Sequence, residues 1–131
     1  MENKFTLSDV ISASPEQIYK AWLSTSGHTG MTGSPAVVES KDKGKFTAWD
    51  GYISGETLEL KPYRLIVQAW RTTEFPQASP DSRVEIILEP EPGGTKITIT
   101  HSNIPEGQAD DYKQGWHDFY FEPMKHYQFP K

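Results

Sequence analysis

The chain has 131 residues, 13 Lys and Arg against 18 Asp and Glu, a formal charge of −5, and no cysteine. This length fits one domain over residues 1–131, and 4 Trp, 6 Tyr and 6 Phe supply a core that a disordered chain lacks. An acidic balance without clustered Lys and Arg excludes nucleic acid and anionic membrane as main partners, and the missing thiols exclude disulfides, thiolate zinc sites and a cysteine nucleophile.

The first ten residues carry Glu2, Lys4 and Asp9 rather than an apolar signal core, and no later run reaches the ~20 apolar residues of a membrane span. A cytoplasmic location is expected. Phe5, Leu7 and Ile11 alternate with polar neighbours over Lys4 to Ser12, as in a half-buried strand. Ser14, Pro15 and Gln17 then form a helix start. Ser14 is the N-cap, Pro15 takes the first helical position, and Gln17 completes a capping box. Ile18, Ala21 and Trp22 continue at helical spacing. Ser24 to Pro35, with Gly27, Gly30 and Gly33 among Ser and Thr, reads as a loop holding no more than one short helical turn.

From Ala36 to Ser102 the pattern has period two with frequent turn signals, as in an antiparallel meander. Strands are expected from Val37, over Lys45 to Trp49, Tyr52 to Leu60 and Arg64 to Thr72, with Asp50-Gly51 as a hairpin turn and Pro62 as a break. Phe75 to Pro80 is a loop because its prolines cannot donate to a ladder. In the last hairpin, Leu88 is expected opposite Ile97, Ile86 opposite Ile99 and Val84 opposite His101. Positive φ accounts for Gly93-Gly94 in its turn. One face of this hairpin is apolar and needs a cover.

The C-terminal segment supplies it. From Gly107 to Phe129 the sequence reads as one amphipathic helix. Tyr112, Trp116, Phe119, Tyr120, Pro123, Met124 and Tyr127 lie in one arc, and a kink is expected at Pro123. Phe121 falls off that arc and is expected to be exposed, marking with Phe129 a homodimer or partner surface. The fold class is α+β, a six- to seven-stranded curved antiparallel sheet wrapped on one long C-terminal helix, with a short N-terminal helical segment. A rod laid in a curled sheet leaves a gap, and an aromatic-lined gap is where a ligand is expected.

Several short stretches, in this order, carry a family resemblance. They are Ser14-Pro15-Glu16-Gln17-Ile18-Tyr19; Gly44-Lys45-Phe46; Asp50-Gly51-Tyr52-Ile53-Ser54-Gly55-Glu56; Trp70-Arg71; Thr95 to Thr100 leading to Ile104-Pro105; and Gly115-Trp116 with Phe119-Tyr120-Phe121. Together they resemble the family of homologues of the activator of heat shock protein 90 ATPase, over nearly the whole chain. The resemblance implies the helix-grip fold of the START-like, SRPBCC or birch-pollen-allergen-like superfamily. It also implies a stress-related module with a chaperone partner. In the eukaryotic co-chaperone such a domain follows a separate N-terminal domain, which is not expected ahead of Met1. Members of the wider superfamily bind lipids, hormones or polyketides, and some are cyclases.

The first functional expectation is a non-catalytic binding protein that holds a small apolar or amphipathic molecule. The expected lining is Ile53, Trp70, Ile86, Ile99, His101, Trp116, Tyr120 and Met124. No cofactor is expected. No metal is expected either, since no two histidines stand at i, i+4 spacing on one helix. An enzyme of cyclase or hydrolase type is the alternative, with His101 and Tyr112 or Tyr120 as proton carriers; the other reading of His101 is a hydrogen-bonded core histidine. Glu56 and Arg71 are expected as a cross-strand ion pair or headgroup anchor. Glu106, Asp110 and Asp111 complement a helix dipole.

Overall fold

The computed structural model describes residues 3–130. The alternation of Phe5–Ile11 (β1) brings Ile11 into the core at 1% exposure. Ser14 caps the helix Pro15–Trp22 (α1) as its sequence requires. Its side chain accepts from the Gln17 N–H at 3.1 Å while the Gln17 side chain accepts from the Ser14 N–H at 2.8 Å. The expected loop after it is a second helix, Thr25–Thr32 (α2), capped by Ser24 and ended by Gly33 at φ +81°. Its glycines lower helix propensity and hid it, but packing needs them. A Cβ on Gly27 would lie 2.5 Å from the Ala21 Cα, and one on Gly30 would lie 2.8 Å from the Tyr127 hydroxyl.

The strands Val37–Val38 (β2), Lys45–Ala48 (β3), Ile53–Lys61 (β4), Leu65–Thr72 (β5), Ser82–Glu91 (β6) and Gly94–Ser102 (β7) complete a seven-stranded antiparallel sheet. Its order is β1-β7-β6-β5-β4-β3-β2, a meander whose first strand returns to pair with its last. Asp50 and Gly51 occupy the centre of the β3–β4 turn at φ 58° and 89°, and the Tyr52 N–H closes it on the Trp49 carbonyl at 3.1 Å. Trp49 itself is also left-handed, at φ 51°, an uncommon conformation for a bulky residue.

The last hairpin has the expected register: Leu88 opposite Ile97, Ile86 opposite Ile99, Val84 opposite His101. All six of these side chains are 0–2% exposed. Of its two glycines only Gly93 has positive φ, at 85°. Gly94 is there for close approach instead, since a Cβ would lie 2.0 Å from the Ile11 carbonyl oxygen.

The C-terminal helix crosses the inner face of this sheet but is shorter and less uniform than its sequence suggests. It runs Ala109–Trp116 (α3), a π turn His117–Phe121, then Glu122–His126 (α4), 18 residues and about 27 Å at 1.5 Å each. The Glu122 N–H bonds to the His117 carbonyl, five residues back. Residues in such a turn advance less than 100° about the axis, so Phe119 and Phe121 exchange places. Phe119 is 53% exposed, and Phe121 is 1% exposed. The expected Phe121 partner surface is therefore absent, and Phe129 packs partly buried against the core. Pro123 follows the π turn in the first turn of α4. There its missing N–H leaves the Phe119 carbonyl without its i+4 donor.

Candidate functional site

Between the β4–β5 end of the sheet and α3 lies a half-enclosed cleft of about 340 Å³. Seven of its ten lining residues are aromatic: Trp49, Tyr52, Trp70, Tyr112, Trp116, Phe119 and Tyr120. Ile53, Gly115 and Asp111 complete it. Period-two alternation turns Ile53 and Trp70 inward from β4 and β5, and helical spacing turns Tyr112 and Trp116 toward them from α3. At the rim, Trp49 and the exposed Phe119 meet edge to face with ring centroids 5.3 Å apart.

One end of the cleft is fixed by a closed ring of hydrogen bonds between the β5 end and α3. The Glu74 N–H donates to Thr72 Oγ1 at 3.1 Å, and Thr72 donates to the Tyr112 hydroxyl at 2.7 Å. Tyr112 donates in turn to Gln108 Oε1 at 2.5 Å, and Gln108 Nε2 returns to the Glu74 carbonyl at 3.0 Å. Beside this ring the Tyr52 hydroxyl donates to the Glu74 carboxylate. Burial first, and then that carboxylate, raise the Tyr52 phenol above its ordinary range. Burial likewise raises Tyr112 and Tyr120. All three are neutral donors at neutral pH.

The expected lining divides. Ile53, Trp70, Trp116 and Tyr120 come together in the cleft, whereas Ile86, Ile99, His101 and Met124 lie outside its walls at 0–1% exposure. His101 sits behind Trp70, with ring centroids 4.6 Å apart. The Trp116 indole N–H donates to its Nδ1 at 3.1 Å, so the proton is on Nε2 and goes to Ser82 Oγ at 2.8 Å. Ser82 passes its own proton to the Trp70 carbonyl at 2.7 Å. Burial pulls His101 down to about 3. It is a neutral histidine with both nitrogens engaged, and neither is free to carry a proton to a guest.

A second buried histidine emerges only in three dimensions. His28 of α2 donates from Nδ1 to the Trp22 carbonyl at 3.0 Å and accepts at Nε2 from the Tyr120 hydroxyl at 2.8 Å. Burial pulls His28 down to about 4 against the raising effect of the Trp22 carbonyl. This locks the Tyr120 hydroxyl away from the cleft that its ring lines.

The expected Glu56–Arg71 pair is not formed. Glu56 stands opposite Ala69 and Arg71 opposite Ser54, while Asp81, just before β6, reaches the Arg71 guanidinium at 2.7 Å. Asp110 and Asp111 do lie in the first turn of α3. Among the described residues no group of His, Asp and Glu has the arrangement of a metal site, and no helix is long and apolar enough to cross a membrane. The expected lining does not include Trp49, Tyr52, Asp111, Tyr112, Gly115 or Phe119. The available signal was Trp49 and Tyr52 flanking the Asp50-Gly51 turn.

A curved antiparallel sheet closed on one C-terminal helix, with an aromatic cleft between them, defines a helix-grip domain. The family model described as "Activator of Hsp90 ATPase homolog 1-like protein" matches residues 12–128, and the chain belongs to that family. It is 30% identical over 122 residues to human activator of 90 kDa heat shock protein ATPase homolog 1, covering 93% of this chain but 36% of that protein. The chain thus spans about a third of the length of the curated relatives it matches. The crystal structure of an HSP90 activator from Plasmodium falciparum superposes with a TM-score of 0.84 at 26% identity, covering 97% of this chain and 99% of that one. The solution structure of an Aha1 dimer from Colwellia psychrerythraea has a TM-score of 0.72 at 19% identity, covering 88% and 89%. It shares the fold.

Proposed function

We propose that this chain is a non-catalytic binding domain of the Hsp90-activator family that takes a small apolar or amphipathic molecule in the cleft between β4, β5 and α3. The observation that carries this reading is the space itself. About 340 Å³ lined mainly by rings falls within the ~300–1,000 Å³ range of small-molecule sites, and rings offer flat apolar area at low entropic cost. The polar groups at one end are already held by one another, so a guest meets an organised wall. The reading includes a cytoplasmic location and one domain over residues 1–131.

Native mass spectrometry and solvent extraction of freshly purified protein, with tryptophan fluorescence during titration by a neutral medium-chain alcohol, test it. Three of the four tryptophans line the cleft, so a guest changes their emission. No co-purified molecule together with no response to the alcohol refutes the reading.

A second reading is favoured by the relatives, which are activators of a 90 kDa heat shock protein ATPase. Here the domain touches a chaperone of that class as part of a stress response. A pull-down with the host's 90 kDa chaperone and an ATPase assay with added domain test this reading, and null results in both remove it. The Colwellia protein is a dimer, and light scattering tests a homodimer of this chain.

A further inference from the structure

The cleft is apolar, but its charge is one-sided. Among the described residues Asp111 is the only ionisable group in its wall besides tyrosines, and no Lys, Arg or His lines it. Asp111 is exposed and enters no hydrogen bond or ion pair among the described residues. A second carboxylate, Glu74, stands behind the Tyr52 hydroxyl and accepts its hydrogen bond, which pushes electron density toward the ring that faces the cleft. The whole chain carries −5.

Indole, phenol and phenyl faces attract a cation through their quadrupoles, most strongly when it is weakly hydrated. An anionic headgroup would instead meet ring faces and a carboxylate with no compensating cation. We infer that the guest of this cleft is a cationic amphiphile, an alkyl or aryl body carrying a quaternary or tertiary ammonium, with its head between the Trp49 and Phe119 rim and Asp111. This rests on the cleft being a ligand site. The helix dipole does not account for Asp111 alone. Asp110 shares the same first turn of α3 but lies outside the cleft, on the side of Leu7 and Ser8.

Three probes with one tail and different heads separate the terms: octyltrimethylammonium, octanol and octanoate, each titrated by calorimetry and tryptophan fluorescence at physiological salt, where distant charges are screened. The ammonium is expected to bind about tenfold tighter than octanol, and octanoate more weakly than octanol. Asp111→Asn brings the ammonium to within a few-fold of octanol, Asp111→Glu restores the preference, and Asp110→Asn leaves it unchanged. Equal or tighter binding of octanol, or an equal loss in Asp110→Asn and Asp111→Asn, overturns the inference while leaving the cleft a binding site. No binding by any of the three overturns the ligand reading and this inference together.

Discussion

Phe121 and Phe119 stand two residues apart on the C-terminal helix, and the π turn decides which of them supports the fold. Phe121 is 1% exposed, so Phe121→Ala removes a whole ring from a filled core and leaves a cavity, at a cost of about 3–5 kcal/mol. Domains of this kind have a total stability of about 5–15 kcal/mol, so the loss is about a fifth or more of it. At roughly 3–5 °C per kcal/mol for a chain of this length, Tm falls by about 10–25 °C. Phe119 is 53% exposed and gives up chiefly its edge contact with Trp49, so Phe119→Ala costs about 1 kcal/mol and only a few degrees. Thermal and urea melts followed by far-ultraviolet circular dichroism measure both. A uniform α-helix predicts the reverse order. A loss in Phe119→Ala that equals or exceeds the loss in Phe121→Ala would refute the π turn.

Two more perturbations probe the histidines and the cleft. The folded chain holds His28 at about 4 and His101 at about 3, below the ordinary 6.5, so the unfolded chain binds more protons between those values and 6.5. Stability is therefore greatest above pH 6.5 and falls as pH drops through that window, by about 1.4 kcal/mol per histidine per pH unit well below 6.5. Urea midpoints at pH 7 and pH 5 check this, and equal midpoints contradict it. Gly115 lies inside α3, where a Cβ would meet nothing closer than Phe119 Cδ2 at 3.7 Å. Gly115→Ala is expected to gain up to about 1 kcal/mol from helix propensity while its methyl group occupies the cleft. Tm should rise and the affinity for octanol should fall; a rise in both refutes the placement of the cleft wall.

Local signals made some elements legible and long-range packing concealed others. The Ser14–Gln17 capping box and the Leu88–Ile97 register were readable because a cap spans four residues and a hairpin fixes its own pairing. His101 could be turned inward by counting alone, and Trp70, Trp116 and Tyr120 by period. The helix α2 was not readable. Its glycines look like loop until Ala21 and Tyr127 are seen pressed against them. The π turn was equally hidden, because a fixed 100° step assigns Phe119 and Phe121 to the wrong sides. The cleft itself depends on which core rings happen to stop short of contact. For that reason Ile86, Ile99, His101 and Met124, all inward-facing as expected, lie beyond its walls. Asp81 took Arg71 from Glu56 because a loop brought it nearer, which strand order alone does not reveal.

The change of pitch midway along the C-terminal rod divides its labour. Tyr112 and Trp116 on α3 shape the mouth, while Phe121 and Met124 press into the base, where α2 lies against α4 and Lys125 holds Asp9 at 2.8 Å. Distant sites on a protein respond to substitution almost independently. Replacements at the outer edge, at Trp49 or the exposed Phe119, therefore reshape the entrance while the packing around Phe121 and Met124 stays the same.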